Sequence, residues 1–508
     1  MAGGEIQEGA AGGEGWEATA PLLEQEKEKA EAAAVYVEGC PGCASDRRKA
    51  ANPGIPYLQF FHVWSIILVS CLPISFIYPF LYFMIRDLHV AKTVEDIGFY
   101  GGFVGASYML GRALTSTVWG MVADRIGRKP VIVFGIFSML VFNTLFGLST
   151  NYWMAITSRF LVGSLTALLG PMRAYTNEIC RPEHQAIGMS LDSTSWAVGL
   201  IIGPAIGGYL AQPAEKYPML FPVNSLFGRF PYFLPCLCIS IFCFVILISC
   251  IWLPETLHNH KLDKIEDRAN GSFIAHSASS EELIEQQVKS VPTKNLLKNW
   301  PLMSSIVLYC IFCFDDMAYT EIVSLWSESD RKYGGLSFSP QDVGQVFAIT
   351  GGSVVLYQTF IYPQIDKILG PINTSRVATV VSMVLLFTYP PMTHLSRPWL
   401  PIILNIVSVL KANCLVSIVT CCFILQNNSV NQDQRATADG LATTIMSVFK
   451  ACAPAGAGIV FSWAQRRQHA FFFPGDQMLF FLLVVVEFLG LVWTFKPFLA
   501  IPEKFPQN

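Results

Sequence analysis

A short polar stretch separates two long apolar segments of this chain: Trp119-Gly120-Met121-Val122-Ala123-Asp124-Arg125-Ile126-Gly127-Arg128-Lys129-Pro130. A carboxylate such as Asp124 is favoured near a helix N-terminus and can pair with a cation. Gly120 and Gly127 permit a close helix approach and a tight turn. Arg128 and Lys129 would anchor one side of a membrane. The stretch predicts a turn between two spanning helices that latches one of two conformations; the alternative is an ordinary positively charged loop.

The composition of the whole chain agrees with a membrane protein. Of its 508 residues, 52% are apolar and only 14% are charged, against roughly a quarter charged in soluble domains. The net charge of −3 gives no basic excess that would attract nucleic acid. Most of the cysteines lie in apolar runs, where cysteine acts as a small hydrophobe. No nucleophile–base pair or phosphate-binding glycine loop is present, so we expect neither an enzyme nor a cofactor.

Apolar runs of about 20 residues can span a bilayer. Twelve such runs are predicted, at residues 60–85, 98–121, 130–149, 152–174, 187–211, 230–253, 301–325, 342–363, 373–392, 399–425, 437–462 and 477–498. The segments that lie on the same side of the membrane as the N-terminus carry about twice as many Lys and Arg as the loops on the other side, which predicts that both termini are cytosolic. The predicted parts are a cytosolic tail (1–57), a six-helix bundle (58–254), a cytosolic central loop (255–299), a second six-helix bundle (300–498) and a cytosolic tail (499–508).

The two predicted bundles repeat each other in sequence. Residues 185–208 align without gaps with residues 435–458, and the identical pairs include Pro204/Pro454 and Gly208/Gly458. A weaker copy of the polar stretch, with Asp366 before Gly370, follows the eighth span. Six-helix halves related by an axis along the membrane normal are a transporter architecture with a site near the midplane.

The fifth span carries the helix pattern Trp196-Ala197-Val198-Gly199-Leu200-Ile201-Ile202-Gly203-Pro204-Ala205-Ile206-Gly207-Gly208. Glycines four residues apart share one helix face and let helices pack closely. Pro204 removes one backbone hydrogen bond and kinks the helix. Generic tight packing is the alternative to a functional motif.

Ionisable side chains inside spans are costly and are functional candidates by default. We assign proton coupling to Arg159, Asp316 and Glu321, and substrate binding to Arg112, Lys411, Lys450 and Asp315. Asp315 and Asp316 cannot share a helix face. For Asp192 and Glu487, which we expect nearer the helix ends, simple salt bridges or snorkelling are favoured. A cavity with both signs of charge suits a zwitterionic substrate.

The N-terminal tail contains Cys40-Pro41-Gly42-Cys43. A C-x2-C pair alone is half a zinc site, and no second pair stands nearby. His258 and His260, which follow the sixth span, could be weak ligands, but two exposed histidines are usually solvated. We therefore expect no metal site, with Cys40 and Cys43 as weak candidates.

These motifs resemble known families. The pattern G-x3-D-x2-G-R-K at 120–129 is similar to the loop signature of the major facilitator superfamily, and the fifth-span pattern and Arg159-x3-Gly163 resemble its proton-antiporter branch. Further stretches resemble the plant Zinc Induced Facilitator-like family, grass members above all: residues 40–43, Gly54-Ile55-Pro56-Tyr57, residues 80–87, residues 211–218, residues 227–235 and Leu253-Pro254-Glu255-Thr256-Leu257.

The resemblance implies an all-α major facilitator fold of twelve transmembrane helices in two pseudo-symmetric halves. It also implies proton-driven export of nicotianamine, a mugineic-acid phytosiderophore or their zinc or iron complexes, in zinc and iron homeostasis. We expect a monomer in the plasma or vacuolar membrane whose partners are a small-molecule substrate, protons and lipid. Transport of free Zn²⁺, K⁺ or another organic anion is the alternative.

Overall fold

A computed structural model describes residues 39–52, 54–166, 168–181, 185–258, 296–396, 398–430, 435–468 and 475–500. The predicted terminal tails and central loop fall largely outside these ranges, as do His260 and the side chain of Asp192. Two compact units are present: residues 55–253 with 274–508, and residues 1–54 with 254–273. The described residues form helices and connections and contain no strand.

Seventeen α-helices occur within the described residues. They are α1 (Pro41–Ala51), α2 (Tyr57–Ser75), α3 (Leu81–Asp87), α4 (Ile97–Ile126), α5 (Arg128–Gly147), α6 (Tyr152–Leu165), α7 (Leu169–Ile179), α8 (Gln185–Leu210), α9 (Pro213–Lys216), α10 (Leu226–Arg229), α11 (Phe233–Ser249), α12 (Trp300–Glu328), α13 (Pro340–Leu356), α14 (Tyr362–Leu386), α15 (Leu400–Asn428), α16 (Arg435–Gln465) and α17 (Gly475–Trp493).

Eight described stretches are long and apolar enough to cross a membrane. One of them, Pro340–His394, contains two of the predicted spans. They are separated at Gly370, whose φ of 71° lies in the left-handed region and is followed by Pro371. Gly127, with a φ of 118°, separates α4 from α5 in the same way. Because glycine tolerates a positive φ at no steric cost, both polar stretches end in a sharp turn between adjacent spans.

Two predicted spans are not continuous helices. The first, 60–85, is broken because α2 ends at Ser75, two residues after Pro73, and α3 begins only at Leu81. The fourth, 152–174, is broken at Thr166, whose backbone leaves the helical region between α6 and α7. Apolar length alone predicts a crossing of the membrane, but it does not show where the helix is interrupted.

The aligned repeat makes equivalent contacts in the two halves. A Cβ atom built on Gly458 of α16 would lie 2.9 Å from the Cα of Gly102 on α4. A Cβ atom built on Gly208 of α8 would lie 2.9 Å from the Cα of Gly344 on α13. Both contacts lie at the ends of these helices far from the Gly127 turn. We call this end the glycine end; there the two halves pack backbone against backbone.

The α8 pattern also packs tightly inside its own half. Gly199, Gly203 and Gly207 all face α2 or the residue that follows it. Cβ atoms at these positions would lie 2.9 Å from Cys71, 2.0 Å from Ser75 and 1.9 Å from Phe76. These glycines therefore set the distance between α2 and α8.

A pair of substitutions on α16 tests the glycine-end contact. A methyl group at Gly458 would lie 2.4 Å from the carbonyl oxygen of Gly98, whereas one at Gly456 meets nothing within 4 Å. Alanine is otherwise preferred over glycine inside a helix by about 1 kcal/mol. We expect Gly458→Ala to lower the Tm of the purified protein and Gly456→Ala to leave it unchanged or raise it. Equal Tm values for the two variants would contradict the contact.

Candidate functional site

A buried ion cluster lies between three helices of the second half. The Lys411 Nζ on α15 is 3.1 Å from the Asp315 Oδ2 on α12 and 3.2 Å from the Glu487 Oε1 on α17. At most 1% of each of these side chains is exposed. The hydroxyl of Ser382 on α14 donates to the same Glu487 oxygen at 2.7 Å. We call Lys411, Asp315 and Glu487 the Lys411 cluster.

Two tyrosines, Tyr319 and Tyr389, lie beside the Lys411 cluster. The Lys411 ammonium lies over the ring of Tyr319, 4.3 Å from its centre. The negative face of the ring attracts the cation. The hydroxyls of Tyr319 and Tyr389 are 2.5 Å apart. The second oxygens of Asp315 and Glu487 accept no hydrogen bond within the described residues. With both carboxylates ionised, the cluster carries one excess negative charge, which a single proton would neutralise.

Glu321 lies apart from this cluster, on the face of α12 turned toward the first half. Its Oε2 is 3.3 Å from the position of a Cβ on Gly105 of α4. The side chain is 1% exposed, and neither carboxylate oxygen has a hydrogen-bond partner in the described part of the chain. A buried carboxyl group without partners is costly when ionised, so its charge state depends strongly on its surroundings.

Arg159 on α6 is the buried cation of the first half. It donates from Nη1 to the Pro73 carbonyl at 2.6 Å and lies over the rings of Tyr108 and Phe146, at 4.8 and 5.3 Å from their centres. Arg159 interacts electrostatically with Glu321. No ion pair within 4.0 Å joins them in the described structure. Carbonyl and ring dipoles therefore compensate this charge.

Three further candidates are half-buried: Asp316 on α12, Lys450 on α16 and Arg112 on α4. The cations that act on Asp316 are Lys450 and Lys411. Within the described ranges, none of the three makes a direct ion pair. Their positions leave them more accessible than the Lys411 cluster.

The polar stretch forms a charged junction at the end opposite the glycine end. Arg128 pairs with Asp124 and, at 3.0 Å, with Glu178 at the end of α7. Lys129 donates to the Ile251 carbonyl at 2.9 Å. Asp366 in the second half accepts from the Tyr362 hydroxyl one turn away, at 3.4 Å. The close helix approach expected at Gly120 is not seen, because nothing described lies within 4 Å of a Cβ placed there.

The sequence reasoning did not foresee the surroundings of two carboxylates. It placed Glu487 near a helix end and favoured a simple salt bridge or snorkelling; Glu487 does pair with Lys411, but deep in the buried Lys411 cluster. It gave no role to Glu178, which is the second partner of Arg128. The charge itself was the available signal for Glu487, since an acid within an apolar run needs a partner. For Glu178, the available signal was an acid just after the fourth predicted span, on the same predicted side of the membrane as Arg128 and Lys129.

Comparison with known proteins identifies the family. A model of the Major Facilitator Superfamily matches residues 63–454. This chain belongs to that superfamily. The Zinc Induced Facilitator-like 1 protein of Arabidopsis thaliana is 53% identical over 465 residues, which are 92% of this chain and 96% of the relative. The Zinc Induced Facilitator 1 protein of the same plant is 52% identical and covers 92% of this chain and 97% of its own. The predicted membership of the Zinc Induced Facilitator-like family is confirmed.

The fold is shared with solved transporters. A bacterial homologue of the human lysosomal transporter Spinster has a TM-score of 0.63 at 14% identity, over 87% of this chain and 97% of its own. The expected all-α major facilitator fold is therefore confirmed. The protein is an integral membrane transporter of small molecules and not an enzyme.

The Lys411 cluster predicts an unequal response to two neutralising substitutions. Lys411→Met would leave two buried carboxylates without their cation, a loss that typically costs about 3–5 kcal/mol. Glu487→Gln would leave a neutral Lys411–Asp315 pair and should cost far less. We expect a much lower Tm for Lys411→Met than for Glu487→Gln at pH 7.5. Thermal unfolding of the two variants in detergent measures this difference.

The control is Lys450→Met, because Lys450 is half-buried and makes no direct ion pair in the described structure. A Tm loss for Lys411→Met no larger than that of Lys450→Met would show that the Lys411 cluster does not hold α12, α15 and α17 together.

Proposed function

We propose that this transporter is a proton-coupled antiporter that exports a zwitterionic metal chelator from the cytosol by alternating access. The expected substrates are nicotianamine, a mugineic-acid phytosiderophore or their zinc or iron complexes. The observation that supports this proposal is the buried Lys411 cluster, which holds one more acid than base. The membrane is the plasma or vacuolar membrane, both termini are cytosolic, and the protein acts as a monomer.

Three of the proposed proton-coupling acids, Asp315, Asp316 and Glu321, lie on α12, and Glu487 lies on α17. One proton taken up by the Asp315 or Glu487 carboxylate removes the excess charge of the Lys411 cluster and loosens its hold on Lys411. Two further acids would carry the proton onward from the Lys411 cluster. Asp316 is half-buried, and Glu321 lies against Gly105 of α4. Arg159 of the first half interacts electrostatically with Glu321. A change in the charge of Glu321 therefore changes the electrostatic attraction between the two halves.

The substrate carboxylates are assigned to Arg112 and Lys450. Both are half-buried, lie on α4 and α16 and make no direct ion pair within the described ranges. Lys411 and Asp315, which the sequence reasoning assigned to substrate binding, are sealed in their mutual ion pair. A substrate reaches Lys411 only after the acids take up a proton, so the two residues act through coupling.

Alternating access requires two interfaces that open in turn. The proposed bundles are residues 58–254 and 300–498, joined by the central loop at 255–299. In the described conformation they pack closely at the glycine end, where α4 meets α16 and α8 meets α13. At the opposite end, Asp124, Gly127, Arg128, Lys129 and Asp366 form the latch that the other conformation uses.

Passage of free Zn²⁺ along the spans is the less supported alternative. Such a path needs clustered His or Cys ligands at one depth. Among the described residues, the group of three or more metal-ligand side chains that could hold an ion is Cys40, Cys43 and His258, and none of these lies in a predicted span. Within the described residues, ligands for a bare ion are therefore not gathered along the predicted spans.

Uptake into liposomes tests the substrate assignment. The purified protein would be reconstituted, a pH gradient imposed, and uptake compared for labelled nicotianamine, labelled deoxymugineic acid and ⁶⁵Zn²⁺. We expect chelator uptake that collapses with the pH gradient. Uptake of free zinc alone, with no chelator flux, would contradict the proposal.

Two conservative variants test the proton-coupling assignment. Asp316→Asn and Glu321→Gln keep the side-chain shape but cannot take up and release a proton. We expect each to abolish uptake driven by the pH gradient while leaving substrate exchange at equal pH within about twofold, because exchange needs no net proton movement.

Glu215→Gln, at an exposed carboxylate of α9, serves as the control and should behave like the unmodified protein. Unchanged gradient-driven flux in Asp316→Asn would remove Asp316 from the coupling path. Loss of exchange together with driven flux would assign the residue to substrate binding.

A further inference from the structure

The smaller compact unit, residues 1–54 with 254–273, brings together two segments that are far apart in sequence. Its described residues are 39–52, 54 and 254–258. Cys40 is the residue before α1, and Cys43 lies in the first turn of that helix. The backbone N–H of Gly42 donates to the Leu257 carbonyl at 3.0 Å. This bond fixes the segment after the sixth span against the start of α1.

Three metal-ligand atoms converge at this junction. The Nδ1 of His258 is 3.9 Å from the Cys40 Sγ and 3.7 Å from the Cys43 Sγ. All three ligand atoms lie within 4.8 Å of one another. Tetrahedral zinc, with Zn–S of about 2.3 Å and Zn–N of about 2.0–2.1 Å, places sulfur and nitrogen about 3.6 Å apart. The described spacing is therefore close to that of a coordinated ion.

The remaining ring nitrogen of His258 is also engaged. Its Nε2 lies 3.2 Å from the Asp46 Oδ2, one turn further along α1. A carboxylate on the second nitrogen is the usual outer partner of a metal-binding histidine, because it fixes the tautomer and orients the ring. Asp46 thus turns Nδ1 toward the two thiols.

The residue between the cysteines also fits this arrangement. A Cβ built on Gly42 would lie 2.6 Å from the Cγ of the His258 ring. Any side chain at position 42 would therefore push the imidazole away from the sulfur atoms. Glycine allows the ring to approach the turn that carries both cysteines.

We propose that Cys40, Cys43 and His258 bind a divalent zinc ion, with Asp46 as the outer partner of His258. Two thiolates and one imidazole are the ligands that zinc prefers. Binding releases the thiol protons, and the two thiolates neutralise the charge of the ion. Water or one further side chain completes the tetrahedron. The ion ties the N-terminal segment to the beginning of the central loop and is not transport cargo.

Zinc binding by the full-length protein tests this site without any transported chelator. Reduced protein in detergent would be loaded with Zn²⁺ and desalted, and its zinc content measured by mass spectrometry. Co²⁺ would serve as the spectroscopic probe, since thiolate ligands give a charge-transfer band. We expect one tightly held zinc per chain and a thiolate–cobalt band.

Variants separate the ligands from the outer partner. We expect Cys40→Ser/Cys43→Ser to lose the ion and the cobalt band. His258→Ala should weaken binding at least tenfold, and Asp46→Asn about 10–100-fold. His258→Cys should retain zinc and strengthen the thiolate–cobalt band, which a merely structural histidine would not do. Cys452→Ser, at an exposed cysteine of α16, is the matched control and should bind like the unmodified protein.

Two outcomes would overturn the proposal. One is equal zinc content in the double cysteine variant and the unmodified protein. The other is a folded, monodisperse unmodified protein that retains no zinc after desalting. Because no transport is measured, either result is independent of the proposed antiport.

Discussion

An ionised side chain inside a membrane protein needs groups that compensate its charge, and in the second half acids of neighbouring helices supply this compensation for Lys411. Lys411 draws Asp315 and Glu487 to within 3.2 Å. The three residues lie on α12, α15 and α17, and the hydrogen bond from Ser382 to Glu487 connects α14 to the same cluster. Removing one partner of a buried pair costs more than the pair contributes. The relative positions of these four helices therefore depend on the charge state of one cluster.

The two halves compensate their buried cations differently. In the second half, Lys411 is paired with carboxylates of its own bundle. In the first half, Arg159 is held by the Pro73 carbonyl and two aromatic rings. The acid that interacts with Arg159, Glu321, lies on α12 of the other half. Backbone contacts at the glycine end are equivalent in the two halves, whereas the two buried cations are compensated in different ways.

The sequence predicted the parts of the fold that depend on local chemistry. Apolar length predicted the spans, and the Gly127 and Gly370 patterns marked the turns between them. It could not predict the breaks after Ser75 and Leu165 or the depth of Glu487, because these depend on neighbours far away in the chain. The same limit applies to Cys40 and Cys43: His258 could be named as a weak candidate, but its approach to Cys43 from 215 residues away could not be predicted.

Helix α12 connects these features, because its acids point in different directions. Successive residues of an α-helix are turned by about 100°. Asp315 therefore enters the Lys411 cluster, whereas the half-buried Asp316 points away from it, and Glu321 meets α4 at Gly105. Near the end of the helix, Glu328 accepts from the Tyr82 N–H at 3.2 Å. A rotation of α12 that exposes one acid must bury or displace another. In the proposed antiport, movement of this single helix is therefore the step that links proton uptake in the second half to its contact with the first.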